Sequence, residues 1–149
     1  MGCLCSKTKS IPEDIDPKNL SNFVPMLRDC RVIKCYDGDT ITVAAFYPDE
    51  ELYKFSVRIA GIDCPEMKTK NSSEKDIAII ARDRVANLIL GQMVELENVT
   101  TEKYGRLLAN VIFQKQSVGD ILLREHLAVE YKGGTKTVPD DWTKYHFQK

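Results

Sequence analysis

The sequence predicts an α+β domain that is mainly β: a small, strongly curved barrel of five strands carrying two or three helices. Three observations carry that prediction. Five β-rich stretches are separated by turn signals. One long stretch among them changes to a helical period. The 149 residues suffice for one domain with a core of its own.

Residues 31–36 are β-rich and run into Asp37-Gly38-Asp39, a hairpin signal. A strand resumes from Thr40 to Ala44, and Tyr47-Pro48-Asp49-Glu50 makes a second turn. In the third strand, Tyr53 to Ile59, the residues Phe55, Val57 and Ile59 alternate with polar neighbours. From 73 to 90 the period changes, and Ile77, Ile80, Ala81, Val85, Leu88 and Ile89 fall on one helical face. Ser73 with Asp76 supplies a capping-box start, and Gly91 supplies a stop. Gln92 to Val99 and Leu107 to Phe113 read as strands around a turn at Lys103-Tyr104-Gly105. Val118 to Leu127 is a shorter amphipathic helix. Three strands, a helix, two strands and a helix is the order of an antiparallel, OB-like barrel. Beyond it, Val138-Pro139-Asp140-Asp141-Trp142 leads to the last residues with no further helix predicted, and Trp142 is read as a packing anchor.

Composition narrows the function classes without choosing one. Apolar residues make up 43% and charged residues 29%, as in ordinary globular domains, and the formal net charge is −1. No global basic field announces a nucleic-acid partner, so any phosphate binding must come from local arginines. No apolar run is long enough for a membrane-spanning helix. The five cysteines, Cys3, Cys5, Cys30, Cys35 and Cys64, form no CxxC pair and have no histidine at zinc-ligand spacing, which argues for reduced thiols.

The amino terminus carries a separate signal. Met1-Gly2-Cys3-Leu4-Cys5-Ser6-Lys7 fits N-myristoylation at Gly2, with Cys3 and Cys5 next to it as palmitoylation sites. One myristoyl chain binds a bilayer only marginally, and stable anchoring needs a second signal. The cysteines supply one, and Lys7 and Lys9 suit an anionic leaflet. The expected organisation is an acylated, flexible tether at residues 1–22 followed by one domain at residues 23–149. The expected location is the cytoplasmic face of a membrane, most simply the cell membrane, and the cytoplasm if acylation does not occur.

Chemistry concentrates in three clusters at turns: Asp37-Gly38-Asp39-Thr40, the run from Arg58 to Glu66, and Lys103-Tyr104-Gly105-Arg106. Phosphodiester hydrolysis needs oxygen ligands for a hard divalent cation. It needs guanidinium forks for the charge that develops on phosphate oxygens, and a carboxylate to handle the attacking water. Asp39 and Asp63 can be the ligands, Arg58 and Arg106 the clamps, and Glu66 the water-handling group. Each cluster alone has a plainer reading as a turn, a solvated strand end or a hairpin tip.

Their joint order resembles the staphylococcal nuclease (thermonuclease) family. The carriers are Asp-Gly-Asp-Thr at 37–40, Arg58 five residues ahead of Asp63 with Pro65 and Glu66 following, Lys-Tyr-Gly-Arg at 103–106, and Leu127, Ala128 and Tyr131. The resemblance covers residues 30 to 142. It implies a five-stranded OB-fold barrel and a calcium-dependent, sugar-nonspecific nuclease that cuts DNA and RNA to leave 3′-phosphates. Single-stranded substrate is preferred on this reading. Carried over, it makes Asp39, Asp63 and the Thr40 carbonyl the Ca2+ ligands, and Arg58, Glu66 and Arg106 the catalytic set. Lys103, Tyr104 and Tyr131 become substrate contacts, since aromatic rings stack on bases without sequence preference. A monomer with no protein partner is expected. The rival reading is a catalytically silent barrel that binds nucleic acid or protein, since this fold serves both uses.

Overall fold

In the computed structural model, residues 9–48 and 50–148 are described. Gly2, Cys3 and Cys5 lie outside them. Residues 9–24 are exposed and contain only a short 3-10 turn at Pro17–Asn19, and the first buried residue is Pro25.

Strand β1 (Cys30–Cys35), β2 (Thr40–Phe46) and β3 (Leu52–Ile59) form an antiparallel meander. Two-residue strand β4 (Ile62–Asp63) and helix α1 (Ser72–Ile89) follow. Strands β5 (Met93–Thr101) and β6 (Leu107–Phe113) then pair antiparallel, with β5 also pairing β1. The barrel closes where β6 meets β3, Val57 opposite Leu107 and Arg58 opposite Leu108. The result is the expected five-stranded OB-fold barrel. That closing seam is parallel, however, not antiparallel: β1 reaches β3 through two antiparallel pairings and reaches β6, by way of β5, through two more, so β3 and β6 run the same way. Register breaks in β1 between Val32 and Lys34 and in β5 between Glu97 and Thr100 supply bends a small barrel needs.

Period-2 alternation fills the interior. Ile41, Val43 and Ala45 of β2, and Leu107, Ala109 and Val111 of β6, are buried. On β3, Val57, Arg58 and Ile59 are buried consecutively: Val57 and Ile59 belong to the apolar core, while Arg58 supports a polar cluster at its edge.

Helix α1 lies over this core through Ile77, Ala78, Ala81, Val85 and Ile89. Ile80, expected on the buried face, is 40% exposed. The cap is Asn71 rather than Ser73, its side chain accepting from the backbone N–H of Ser73 at 3.0 Å and of Glu74 at 3.3 Å. The far end stops as predicted at Gly91, whose N–H donates to the Val32 carbonyl at 2.8 Å and ties the helix to β1.

After β7 (Gln116–Ser117), helix α2 (Val118–Arg124) is shorter than expected. His126 takes a left-handed conformation with φ 53, and the N–H groups of His126 and Leu127 return to the carbonyls of Leu123 and Leu122. That is a Schellman stop built without glycine. Strand β8 (Val129–Glu130) pairs β4, and a last helix, α3 (Trp142–Phe147), follows. The expectation of no further helix is therefore overturned: Asp141 caps it by accepting from the Lys144 N–H at 3.0 Å. Trp142 is buried, as the anchor reading required, and α3 packs on α1. Among the described residues no helix is long and apolar enough to cross a membrane.

Candidate active site

The site is assembled where strands end. The β1–β2 hairpin turns at residues 36–39, and its backbone is fixed by the Thr40 carbonyl, which accepts from the N–H of Tyr36 at 2.9 Å and of Asp37 at 3.4 Å. Gly38 lets that turn approach α1. A Cβ there would stand 2.8 Å from Cys64 Sγ and 2.9 Å from Ala81 Cβ, so any larger residue would push the hairpin off its seat. The close of β3 brings Arg58 alongside, because Thr40 pairs with Arg58 and the Ile59 N–H donates to the Asp39 carbonyl at 2.8 Å.

Arg58 is the organising group. Its Nη1 donates to Asp39 Oδ2 at 2.8 Å, and its Nη2 donates to Asp63 Oδ1 at 3.0 Å and to the Ile62 carbonyl at 3.1 Å. Its Nε lies 3.8 Å from Glu102 Oε1. All three central residues are buried, with 8% of Arg58, 5% of Asp39 and 2% of Asp63 exposed. Burial works against the guanidinium charge, but Asp39, Asp63 and Glu102 outweigh it and hold its pKa above the usual value. The other lone pairs of Asp39 take the Thr40 hydroxyl at 3.0 Å and the Cys64 N–H at 3.3 Å.

Around this centre lies a cleft of about 240 Å³. Arg106 enters it through Glu102, to which its Nε donates at 2.7 Å, so one carboxylate touches both arginines. Glu66 lines the cleft with an exposed side chain, bonded at 3.0 Å by the ammonium of Lys136. The same ammonium stands 2.9 Å from Asp63 Oδ1. Tyr131 is brought in by the β4–β8 pairing and by its N–H bond to the Gly61 carbonyl, and its ring lies 5.6 Å from the Arg58 guanidinium.

The structure thus gathers Asp39, Thr40, Arg58, Asp63, Glu66, Arg106 and Tyr131 into one neighbourhood. It leaves Lys103 and Tyr104 exposed on the turn before Arg106, outside the cleft wall. Three participants escaped sequence reasoning. Asp37 lies inside a motif already explained as a turn. Glu102 adjoins that exposed turn, and Lys136 sits in a loop with no pattern. Only Asp37 carried a usable signal, as the first carboxylate of Asp-Gly-Asp.

Asp37 is the site's least satisfied group. Its Oδ1 is buried with no hydrogen-bond partner. Burial first, then the negative charge of Asp39, pushes its pKa up to about 7. A carboxyl raised in the fold favours the folded state when protonated, so its contribution declines as pH rises from about 4 through 7. Cys64 is driven well above the ordinary thiol range by burial and by Asp39, Asp37 and Asp63, so it stays a neutral wall and no nucleophile.

This donor set suits a hard divalent cation in kind: carboxylate oxygens without imidazole or thiolate, and a buried oxygen lacking a partner. Among the described residues no three acids are pre-arranged as a cage, since Arg58 and Lys136 hold the Asp39 and Asp63 oxygens. The Thr40 carbonyl, the expected third ligand, accepts from the hairpin N–H groups of Tyr36 and Asp37, and the Thr40 hydroxyl donates to Asp39.

A closed five-stranded barrel with two arginines and a carboxylate group at its strand ends defines an OB-fold protein able to grip an anionic ester. The family model for staphylococcal nuclease homologues matches residues 56–147. The chain belongs to that family. It is 34% identical to the thermonuclease of Staphylococcus hyicus over 100 residues, covering 66% of this chain and 56% of that protein. It is 30% identical to a micrococcal nuclease of Shigella flexneri over 137 residues, covering 85% and 71% respectively. An uncharacterized endonuclease of Haemophilus influenzae is 31% identical over 103 residues, covering 69% and 52%. Against several of these curated relatives the chain spans about half of their length.

Proposed function

We propose that this chain is a phosphodiesterase that cuts DNA and RNA, using calcium as its divalent cation and leaving 3′-phosphates. The observation that carries the reading is Arg58. A guanidinium held by two buried carboxylates at the lip of a polar cleft, with Arg106 linked to it through Glu102, is a preorganised oxyanion clamp. The names of the relatives support the same class of reaction.

In this mechanism Arg58 and Arg106 hold the equatorial phosphate oxygens as charge builds on them. Glu66 takes the proton of the attacking water. Lys136, which holds Glu66 at 3.0 Å, has to release it as substrate enters. Water oxygen bonds to phosphorus while the ester bond to the 5′-oxygen breaks, and that oxygen takes a proton from solvent, giving a 3′-phosphate and a 5′-hydroxyl. Asp39 and Asp63 would hold the cation, with Asp37 beside them, and the bound ion would polarise the phosphate and neutralise its charge. Few carboxylates address it, so affinity should fall below that of calcium loops with more ligands. Tyr131 offers a ring to a base, and Lys103 and Tyr104 reach substrate from the rim.

The deciding experiment is digestion of single-stranded DNA with calcium, with magnesium and with chelator. Activity is expected with calcium alone, and Glu66→Gln should lower it by about 10²–10⁴-fold. Undiminished digestion by that variant would remove the mechanism.

We propose further that Gly2 is myristoylated and Cys3 and Cys5 palmitoylated, tethering the domain to the cytoplasmic face of a membrane. Intact-mass analysis of the chain expressed in an acylating cell should find these groups. An unmodified Gly2 with free thiols would count against the tether.

A further inference from the structure

Next to the cleft, an aromatic ring carries two ammonium groups that the mechanism does not use. Tyr36 follows β1 directly, one residue ahead of Asp37, and is 44% exposed. Lys34 Nζ stands 5.8 Å from its ring centroid and Lys68 Nζ 6.0 Å from it. The lysines come from separate elements, one from β1 and the other from the loop two residues past Glu66. In the cleft, Arg58, Arg106 and Lys136 are all paired with carboxylates. Among the described residues, Lys34 and Lys68 are in no ion pair.

An exposed cation–π contact is too weak to account for two lysines of like charge converging on one ring. What the arrangement matches is a single-stranded nucleic-acid subsite: a flat face for a base, with uncommitted positive charge for the backbone. We propose that Tyr36, Lys34 and Lys68 form a second nucleotide subsite, contiguous with the cleft, which binds the strand beyond the bond being cut. A base stacks on Tyr36, and the two ammonium groups turn from the ring to the phosphates flanking it. The inference rests on the nuclease reading and extends it, since it makes a polymer a better substrate than a dinucleotide. The chain's overall acidity is no obstacle, because the charge is local.

The test compares a dinucleotide, which fills only the cleft, with a single-stranded 20-mer, and measures binding of the labelled 20-mer separately by fluorescence anisotropy. Tyr36→Ala should raise the Kd and KM for the 20-mer by about 5- to 100-fold, with kcat unchanged and dinucleotide kinetics unaltered. Tyr36→Phe should retain the wild-type values, since stacking needs only the ring. The double variant Lys34→Gln/Lys68→Gln should flatten the salt dependence of 20-mer binding by about 1.4 in log–log slope. Equal losses on both substrates would assign Tyr36 to hairpin packing and overturn the subsite. Unchanged 20-mer binding in all three variants would overturn it as well. A wild-type chain that binds the 20-mer through Tyr36 yet hydrolyses neither substrate would sink the nuclease reading and leave the subsite standing.

Discussion

Arg58→Ala should abolish digestion of single-stranded DNA and, in the same stroke, lower the unfolding free energy by about 3–5 kcal/mol. The two losses have one cause. Removing the guanidinium leaves Asp39 and Asp63 buried within a few ångströms of each other with their principal cation gone. Asp39 is then left without a cation and Asp63 with Lys136 alone, so in this buried site they must protonate or draw in water, and either route costs stability. Catalysis loses a fixed donor to the phosphate, an effect of at least about 10²–10³ in rate. Arg58→Lys separates the contributions, since it keeps a charge but cannot span both carboxylates with a planar fork. It should recover much of the stability and little of the rate. Denaturant melts alongside the digestion assay would check both. A stability loss under about 1 kcal/mol for Arg58→Ala would show that the buried acids are far better solvated than their surroundings suggest.

Trp142→Ala is expected to cost a similar amount, about 3–5 kcal/mol, for an unrelated reason. Trp142 is 4% exposed and seats α3 on α1, with Tyr145 edge-on at 5.8 Å. Tyr145 in turn stacks on His126 at 4.8 Å and donates its hydroxyl to the Ala128 carbonyl at 3.2 Å, just ahead of β8. Emptying the indole site should therefore loosen the whole carboxyl-terminal edge, with a fall in melting midpoint on the order of 10–20 °C. Well below that midpoint the rate per folded molecule should stay near wild type, because Trp142 belongs to the apolar core and does not line the cleft. Thermal melts followed by circular dichroism, with activity at low temperature, distinguish the cases. A change of only a few degrees would mean that α3 contributes little to the fold.

The contrast between these residues marks what the sequence made legible. Strand β6 was readable from Leu107 to Phe113 as a short apolar run interrupted only by Asn110 and preceded by a turn. The core position of Trp142 was readable from its chemistry, but α3 was not, since six residues carry too little periodicity to announce a helix. The cap of α1 was misread because Asn71 and Ser73 are both good caps. Tertiary structure chose between them by recruiting the Glu74 carboxylate to the Glu66 N–H and the Thr69 hydroxyl. The end of α2 was invisible because His126 adopts a conformation usually left to glycine. In the site, Asp39, Arg58, Asp63 and Arg106 stood out as charges at strand ends. Glu102 and Lys136 did not, since their roles exist only once distant segments meet.

The parallel seam between β3 and β6 has a consequence for when this protein can act. The β1–β3 meander already holds Asp39 and Arg58, and its contacts are local enough to form early. Arg106 and Tyr131 lie far along the chain, and they reach Arg58 only after the barrel has been zipped shut across a long loop. A chain emerging from the ribosome thus carries half a clamp and no second arginine. Barrel closure and assembly of the two-arginine cleft therefore coincide, so a partly folded molecule holds only half of the site.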